Sequence, residues 1–151
     1  DNFNSLVLDN ISLPSICTSI SFRLGFSSSN NSSNLYLNES NNFHNLMFWP
    51  AVLGGGYHYL KLEGKYYNSN QEEQFYNTHT GSLNGIDYSF DYEFSIEENN
   101  YNTIYLDMNI NNFYNNPSYS FEEFGSGIMQ NQDAQENISN NLEDIFSIET
   151  N

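Results

Sequence analysis

Three histidines offer the most chemistry in this chain: His44, His58 and His79. A neutral imidazole is a metal ligand, and each of its two nitrogens needs a partner when buried. His58 sits in GGGYHYLKLEGKYY, residues 54–67, with Lys61 and Lys65, two of the three Lys and Arg residues in the chain. A strand period puts His58 on one face with Leu60, Leu62 and Tyr66. Tyr57, Tyr59, Lys61, Glu63 and Lys65 then fall on the other. His58 therefore points toward the core or into a pocket at its edge. Such a ring is satisfied either by two hydrogen bonds or by a metal on one nitrogen and an acceptor on the other.

His79 closes the next strand-like run, EQFYNTHTG, residues 73–81, and shares a face with Phe75 and Asn77. The polar stretch 68–72 is short, so the two runs are expected to pair antiparallel. That brings His58 and His79 to the same end of one hairpin. Two imidazoles near an aromatic, with no thiolate pair, suit copper or zinc better than calcium. Structural, hydrogen-bonded histidines are the competing reading of the same residues. His44, ahead of Met47 and Trp49, is either a third ligand or a solvated loop residue.

The elements that must position these residues read as β structure. In IDYSFDYEFSIE, residues 86–97, Ile86, Tyr88, Phe90, Tyr92, Phe94 and Ile96 alternate without a break with polar residues, the mark of a half-buried antiparallel strand. IYLDMNI, residues 104–110, repeats the pattern. Asn99-Asn100 between them predicts a hairpin. CTSISFRLGF, residues 17–26, alternates as well. The Ser/Asn-rich stretch 27–42 reads as a long exposed loop, and Asn84-Gly85 as a tight turn. Lys61 and Lys65 flank Glu63, and acidic strands such as 86–97 are expected to lie beside them, so the lysines serve the sheet. The glycines before Tyr57 leave room for the Trp49 loop to fold over the start of that strand. Toward the C-terminus Ala134, Ile138, Leu142 and Phe146 recur every four residues. They predict an amphipathic helix of about four turns, capped by Asn131 or Asp133 and covering one end of the sheet core.

The bulk composition narrows the partners. The chain has 151 residues, 17% of them aromatic, and a formal net charge of −16. That length fits one domain with a real core, and that aromatic content favours strands. Nucleic acid and anionic membrane surfaces are poor partners for so acidic a chain, whereas cations and basic proteins are compatible with it. The lone cysteine, Cys17, has no second cysteine to pair with in the chain and reads as a small apolar residue. No Gly-rich phosphate loop, nucleophile elbow or Cys/His pair supports an enzyme.

The order M-F-W, then G-G-G-Y-H-Y-L-K-L-E-G-K-Y, then Y-N-T-H-T-G, resembles the MbnP-like family, the copper-associated periplasmic proteins linked to methanobactin. N-N-F-Y-N-N-P-S-Y-S-F, G-I-M-Q-N-Q-D-A-Q-E-N and D-I-F-S are similar to the C-terminal signature of a less characterised branch of that family. The resemblance runs over residues 17–148. It implies an antiparallel β-sandwich-like domain in the cell envelope: periplasmic, attached to the outer membrane or secreted. Residues 1–151 would form that single domain, short of N-terminal strands usual in the family. It further implies a copper site built from two histidines and a tryptophan oxidised to kynurenine by a partner dihaem enzyme. His79 matches the histidine of the family's F-x-x-H-x-G segment, Trp49 the tryptophan after the methionine, and His58 the G-Y-H of the less characterised branch. Characterised copper binders carry a second tryptophan or a histidine just beyond Trp49, where this chain has Pro50-Ala51-Val52.

The expectation is an all-β, antiparallel β-sandwich-like domain with a C-terminal helix, acting as a non-enzymatic envelope metal-binding protein, most readily for copper. The alternative is a metal-free β-sandwich module for interaction, adhesion or self-assembly, which the exposed Tyr and Asn and the Asn/Ser loops favour. Calcium at acidic pairs such as Glu72-Glu73 or Glu97-Glu98 ranks last, because no loop carries the EF-hand pattern.

Overall fold

The computed structural model describes residues 17–96 and 103–150 of the chain. The turn expected at Asn99-Asn100 and the Glu97-Glu98 pair lie outside them. Six strands are described: β1 Ser19–Leu24, β2 Leu60–Tyr67, β3 Glu73–Thr80, β4 Phe90–Ser95, β5 Ile104–Met108 and β6 Phe146–Thr150. They form three antiparallel two-stranded sheets, β1–β4, β2–β3 and β5–β6. Short α-helices at α1 Phe43–Met47, α2 Phe121–Phe124 and α3 Gln132–Asn140, with several 3-10 turns, fill the connections. Among the described residues no helix is long and apolar enough to cross a membrane.

The β2–β3 hairpin is as expected, with Leu60 opposite Thr80, Lys61 opposite His79 and Tyr67 opposite Glu73. The other two pairings correct the sequence expectation. The strand within 86–97 does not form a hairpin with 104–108. β4 pairs with β1, and β5 with β6. Alternation tells which side chains face the core but not which strand lies alongside. Here Phe22 stands opposite Tyr92, the two rings stacking at 4.9 Å, and Arg23 stands opposite Asp91 in a two-pronged ion pair. The strand is also shorter than the alternating run. Residues 86–89 lie outside it and Ile86 is exposed, while Tyr88, Tyr92 and Ile96 are buried.

Lys65 finds its acidic partner on the neighbouring strand β3 rather than in residues 86–97, and Lys61 reaches a backbone carbonyl instead. The Lys65 ammonium meets Glu73 at 2.6 Å and lies over the Phe75 ring, and Lys61 donates to the Leu46 carbonyl at 3.1 Å. Both still serve the hairpin and its neighbouring loop.

The C-terminal helix is the third correction. α3 stops at Asn140, a 3-10 turn covers Leu142–Asp144, and the chain then enters β6. Asn131 caps the helix by accepting from the Ala134 amide. Ala134, Ile138 and Leu142 are buried as the spacing requires, whereas Phe146 is only partly buried and its neighbour Ile145 is fully enclosed. Asn141 ends the regular helix because its side chain is committed elsewhere. Its amide donates to the Phe113 and Pro117 carbonyls, and its oxygen accepts from the Asn116 amide. Phe146 then pairs with Met108 rather than continuing the helix.

Two apolar clusters result. The larger joins Leu60, Tyr92, Phe113, Ile128, Ile138 and Ile145, with Phe22 and Phe146 packed against it. The smaller joins Trp49, Leu53, Tyr59, Leu83 and Tyr88. The candidate site borders the smaller one.

Candidate metal centre

The chain after α1 runs back antiparallel beside the start of the glycine segment. Phe48 bridges Tyr57, the Trp49 amide donates to the Gly56 carbonyl at 2.9 Å, and the His58 amide to the Met47 carbonyl at 2.7 Å. Alternation then turns Trp49 and His58 to the same side and Phe48 and Tyr57 to the other. His58 is therefore not part of β2, which begins only at Leu60. The Tyr59 amide donates to the Thr80 carbonyl at 2.7 Å, and this carries the segment onto the end of β3.

That bend lets the two imidazoles meet. His79 leaves β3 on the face of Lys61 and Glu63, yet its ring centroid lies 5.1 Å from that of His58, the planes 87° apart. Trp49 stands edge-on to His58 at 4.8 Å and is fully buried. Its indole N–H donates to the Ser82 carbonyl at 2.6 Å. Gly81 makes room for it: a Cβ there would come within 2.6 Å of the indole.

The hydrogen bonds fix which nitrogens remain. A backbone carbonyl only accepts, so His58 Nδ1 donates to the Met47 carbonyl at 3.0 Å. Its Nε2 is buried and has no hydrogen-bond partner among the described residues. Burial, the main cause, lowers the His58 pKa below 6.5, more than the Met47 hydrogen bond raises it, and the neighbouring His79 lowers it further. A carboxylate also only accepts, so His79 Nε2 donates to Glu63 Oε1 at 2.7 Å. In the neutral rings the lone pairs sit on Nε2 of His58 and Nδ1 of His79. Gln135, fully buried on α3, holds the backbone of the same residue by donating to the His79 carbonyl at 2.9 Å.

An orphaned, buried imidazole nitrogen costs free energy unless something occupies it. With a second imidazole alongside, that donor set fits a borderline metal such as copper or zinc. Both rings also show the outer hydrogen bond that ligating histidines carry. Among the described residues no group of three or more His, Cys, Asp and Glu side chains is arranged to hold a metal. The candidate donors brought together there are the two imidazoles.

His44 is engaged elsewhere. Its Nδ1 shares a hydrogen bond with the Tyr57 hydroxyl at 2.9 Å, and its ring packs near Phe48. The loop 27–42 does more than its composition suggests. Asn31 accepts from the Tyr57 amide and donates to the Tyr59 hydroxyl, and Ser33 accepts from the Gly56 amide. Gly56, at φ +87°, is closed off by Asn31, whose oxygens would lie 2.4 Å from a Cβ. The glycines thus admit the Asn/Ser loop as well as the Trp49 segment.

Two contributors escaped the sequence reading. Glu63 reads as a partner for the lysines on either side of it. The signal was the hairpin register, which sets Glu63 opposite Asn77 and so diagonal to His79. Gln135 carried no signal, since a glutamine on a helix gives no hint of a carbonyl on a distant strand.

The model of the MbnP family matches residues 2–147. No curated protein and no solved structure matches the chain. The chain belongs to the MbnP family.

Proposed function

We propose that this MbnP-family chain is a cell-envelope metal-binding protein in which the imidazoles of His58 and His79, beside Trp49, would hold one copper ion. The observation that carries the reading is the buried Nε2 of His58, without a hydrogen-bond partner among the described residues, in a ring whose centroid lies 5.1 Å from that of His79. Family membership is consistent with a copper-associated role. The net charge of −16 draws cations toward the protein. Copper held by two imidazoles supplies a one-electron centre. The chain's own residues orient the rings, disfavour the charged form of His58 by burial and wall the site with an indole. A weak third donor from outside this pair would complete Cu(I) coordination.

In this reading the protein is not an enzyme, and the small sheets belong to a sandwich-like domain. It works in the periplasm, at the outer membrane or outside the cell. A dihaem partner enzyme would act on Trp49. Metal analysis together with intact mass of the protein from its native source tests this. The expected result is one copper per chain, with the mass reporting whether Trp49 is oxidised. Protein recovered without metal, in a form that takes up none, would overturn it.

The second reading is a metal-free interaction or self-assembly module. It is favoured by Leu106, Met108 and Ile110, each more than two-fifths exposed at 45%, 44% and 45%. Sedimentation of the metal-free protein across concentrations distinguishes it by revealing a defined oligomer.

A further inference from the structure

We infer that Glu63 is the positioning residue of the site: its carboxylate selects the protonation form of His79 that leaves the Nδ1 lone pair free for ligation. This rests on the copper reading above, and it concerns a residue outside the proposed ligand pair.

The argument is one of hydrogen-bond direction. His79 is held at both ends, with its carbonyl taken by Gln135 and its ring by Glu63. The carboxylate has no proton to give, so Nε2 must carry one, and in the neutral ring Nδ1 has the lone pair. A neutral imidazole in water exchanges between both forms. A site that must present Nδ1 therefore gains from a group that stabilises only one. His58 is set the opposite way, with Nδ1 protonated by its bond to the Met47 carbonyl and Nε2 bare. The pair is thus asymmetric, with a carbonyl behind one ring and a carboxylate behind the other. A carboxylate behind an imidazole also raises its basicity as a ligand. Both groups lie on β2 and β3, held by the ladder register, so the contact is part of the hairpin rather than of a loop.

Glu63 is well suited to testing. Its side chain is 57% exposed, against 14% for His79, so truncation removes little packing. The experiment uses the metal-free full chain labelled with nitrogen-15, in the parent, Glu63→Ala and Glu63→Gln, at a pH where His79 is neutral. Ring nitrogen shifts report which nitrogen is protonated, and a Cu(I) competition titration follows on the same samples. We expect His79 protonated on Nε2 alone in the parent and in Glu63→Gln, whose amide oxygen still accepts. Glu63→Ala should show a mixture of the two forms, with His58 unchanged. Copper affinity should fall by about ten- to a hundredfold in Glu63→Ala, with most of it regained in Glu63→Gln. His79 protonated on Nδ1 in the parent, or a single unchanged form in Glu63→Ala, overturns the assignment. If the parent binds no copper, the metal reading falls, while the nitrogen shifts still decide whether Glu63 sets the ring.

Discussion

The rings of His58 and His79 lie 5.1 Å apart and nearly perpendicular, although the ladder register places His79 opposite Lys61 and not opposite His58. The chain achieves this by leaving the strand period before Leu60. Trp49 and Met47 hold His58 from one side, while the Tyr59 amide ties the same segment to Thr80. The contact is a property of the bend, and substitutions that relax the bend should disturb it.

Gly81→Ala should be the most direct such disturbance. The added Cβ would meet the fully buried Trp49 indole at 2.6 Å, and an enclosed ring has nowhere to go. Overpacking of this kind costs about 1–3 kcal/mol. Urea unfolding should show a lower midpoint with an unchanged slope, and the perturbed indole should alter tryptophan fluorescence in the folded state. A midpoint equal to the parent's would mean that the strand end can shift and that Trp49 is held less tightly than the contact implies.

Asn141→Ala should be costly as well. The residue is 3% exposed and satisfies two carbonyls and one amide, those of Phe113, Pro117 and Asn116. Each buried polar group left without a partner costs about 1–3 kcal/mol. Thermal unfolding should show one of the larger losses for any single surface-to-core asparagine in the chain. A loss under about 1 kcal/mol would place water in the vacated position.

Lys61→Ala and Lys65→Ala should each change stability by no more than about 1 kcal/mol. Lys65 and its partner Glu73 are about half exposed, with side-chain exposures of 50% and 47%. Chemical denaturation of the two variants checks this, and a much larger loss would show that these ammonium groups do more than close the hairpin.

The pH dependence of folding should carry the mark of His58. Burial depresses its folded pKa below 6.5. A group depressed in this way stabilises the fold above its unfolded pKa, and that contribution is lost as pH falls through the folded value. Stability should therefore decline on acidification from about pH 6.5. In His58→Gln the decline over that window should be shallower. Identical slopes for the two proteins would show that the imidazole is hydrated in the folded state.

The sequence made some of this legible and hid the rest for physical reasons. The turn at 68–72 fixes the β2–β3 hairpin, and with it the common end that His58 and His79 share. The four-residue spacing of Ala134, Ile138 and Leu142 identified buried residues correctly. It could not show that Asn141 would take its hydrogen bonds from the loop at Phe113–Pro117 and stop the helix there. The pairing of β1 with β4 stayed hidden because alternation carries face but not partner, and the Arg23–Asp91 pair becomes informative only once the strands are adjacent. Asn31 and Ser33 stayed hidden because a Ser/Asn-rich composition signals solvation whether or not particular side chains turn inward. For the candidate site, the residue types were visible, while Glu63 and Gln135 required the register and the packing.

Copper titration of the metal-free protein, compared with His58→Ala and His79→Ala, tests the central claim most directly. The account predicts one site per chain, strongly weakened in each variant, and weaker at lower pH because a protonated imidazole cannot ligate. Both variants binding copper as the parent does would contradict it, and the two histidines would then be structural partners at the mouth of the hairpin.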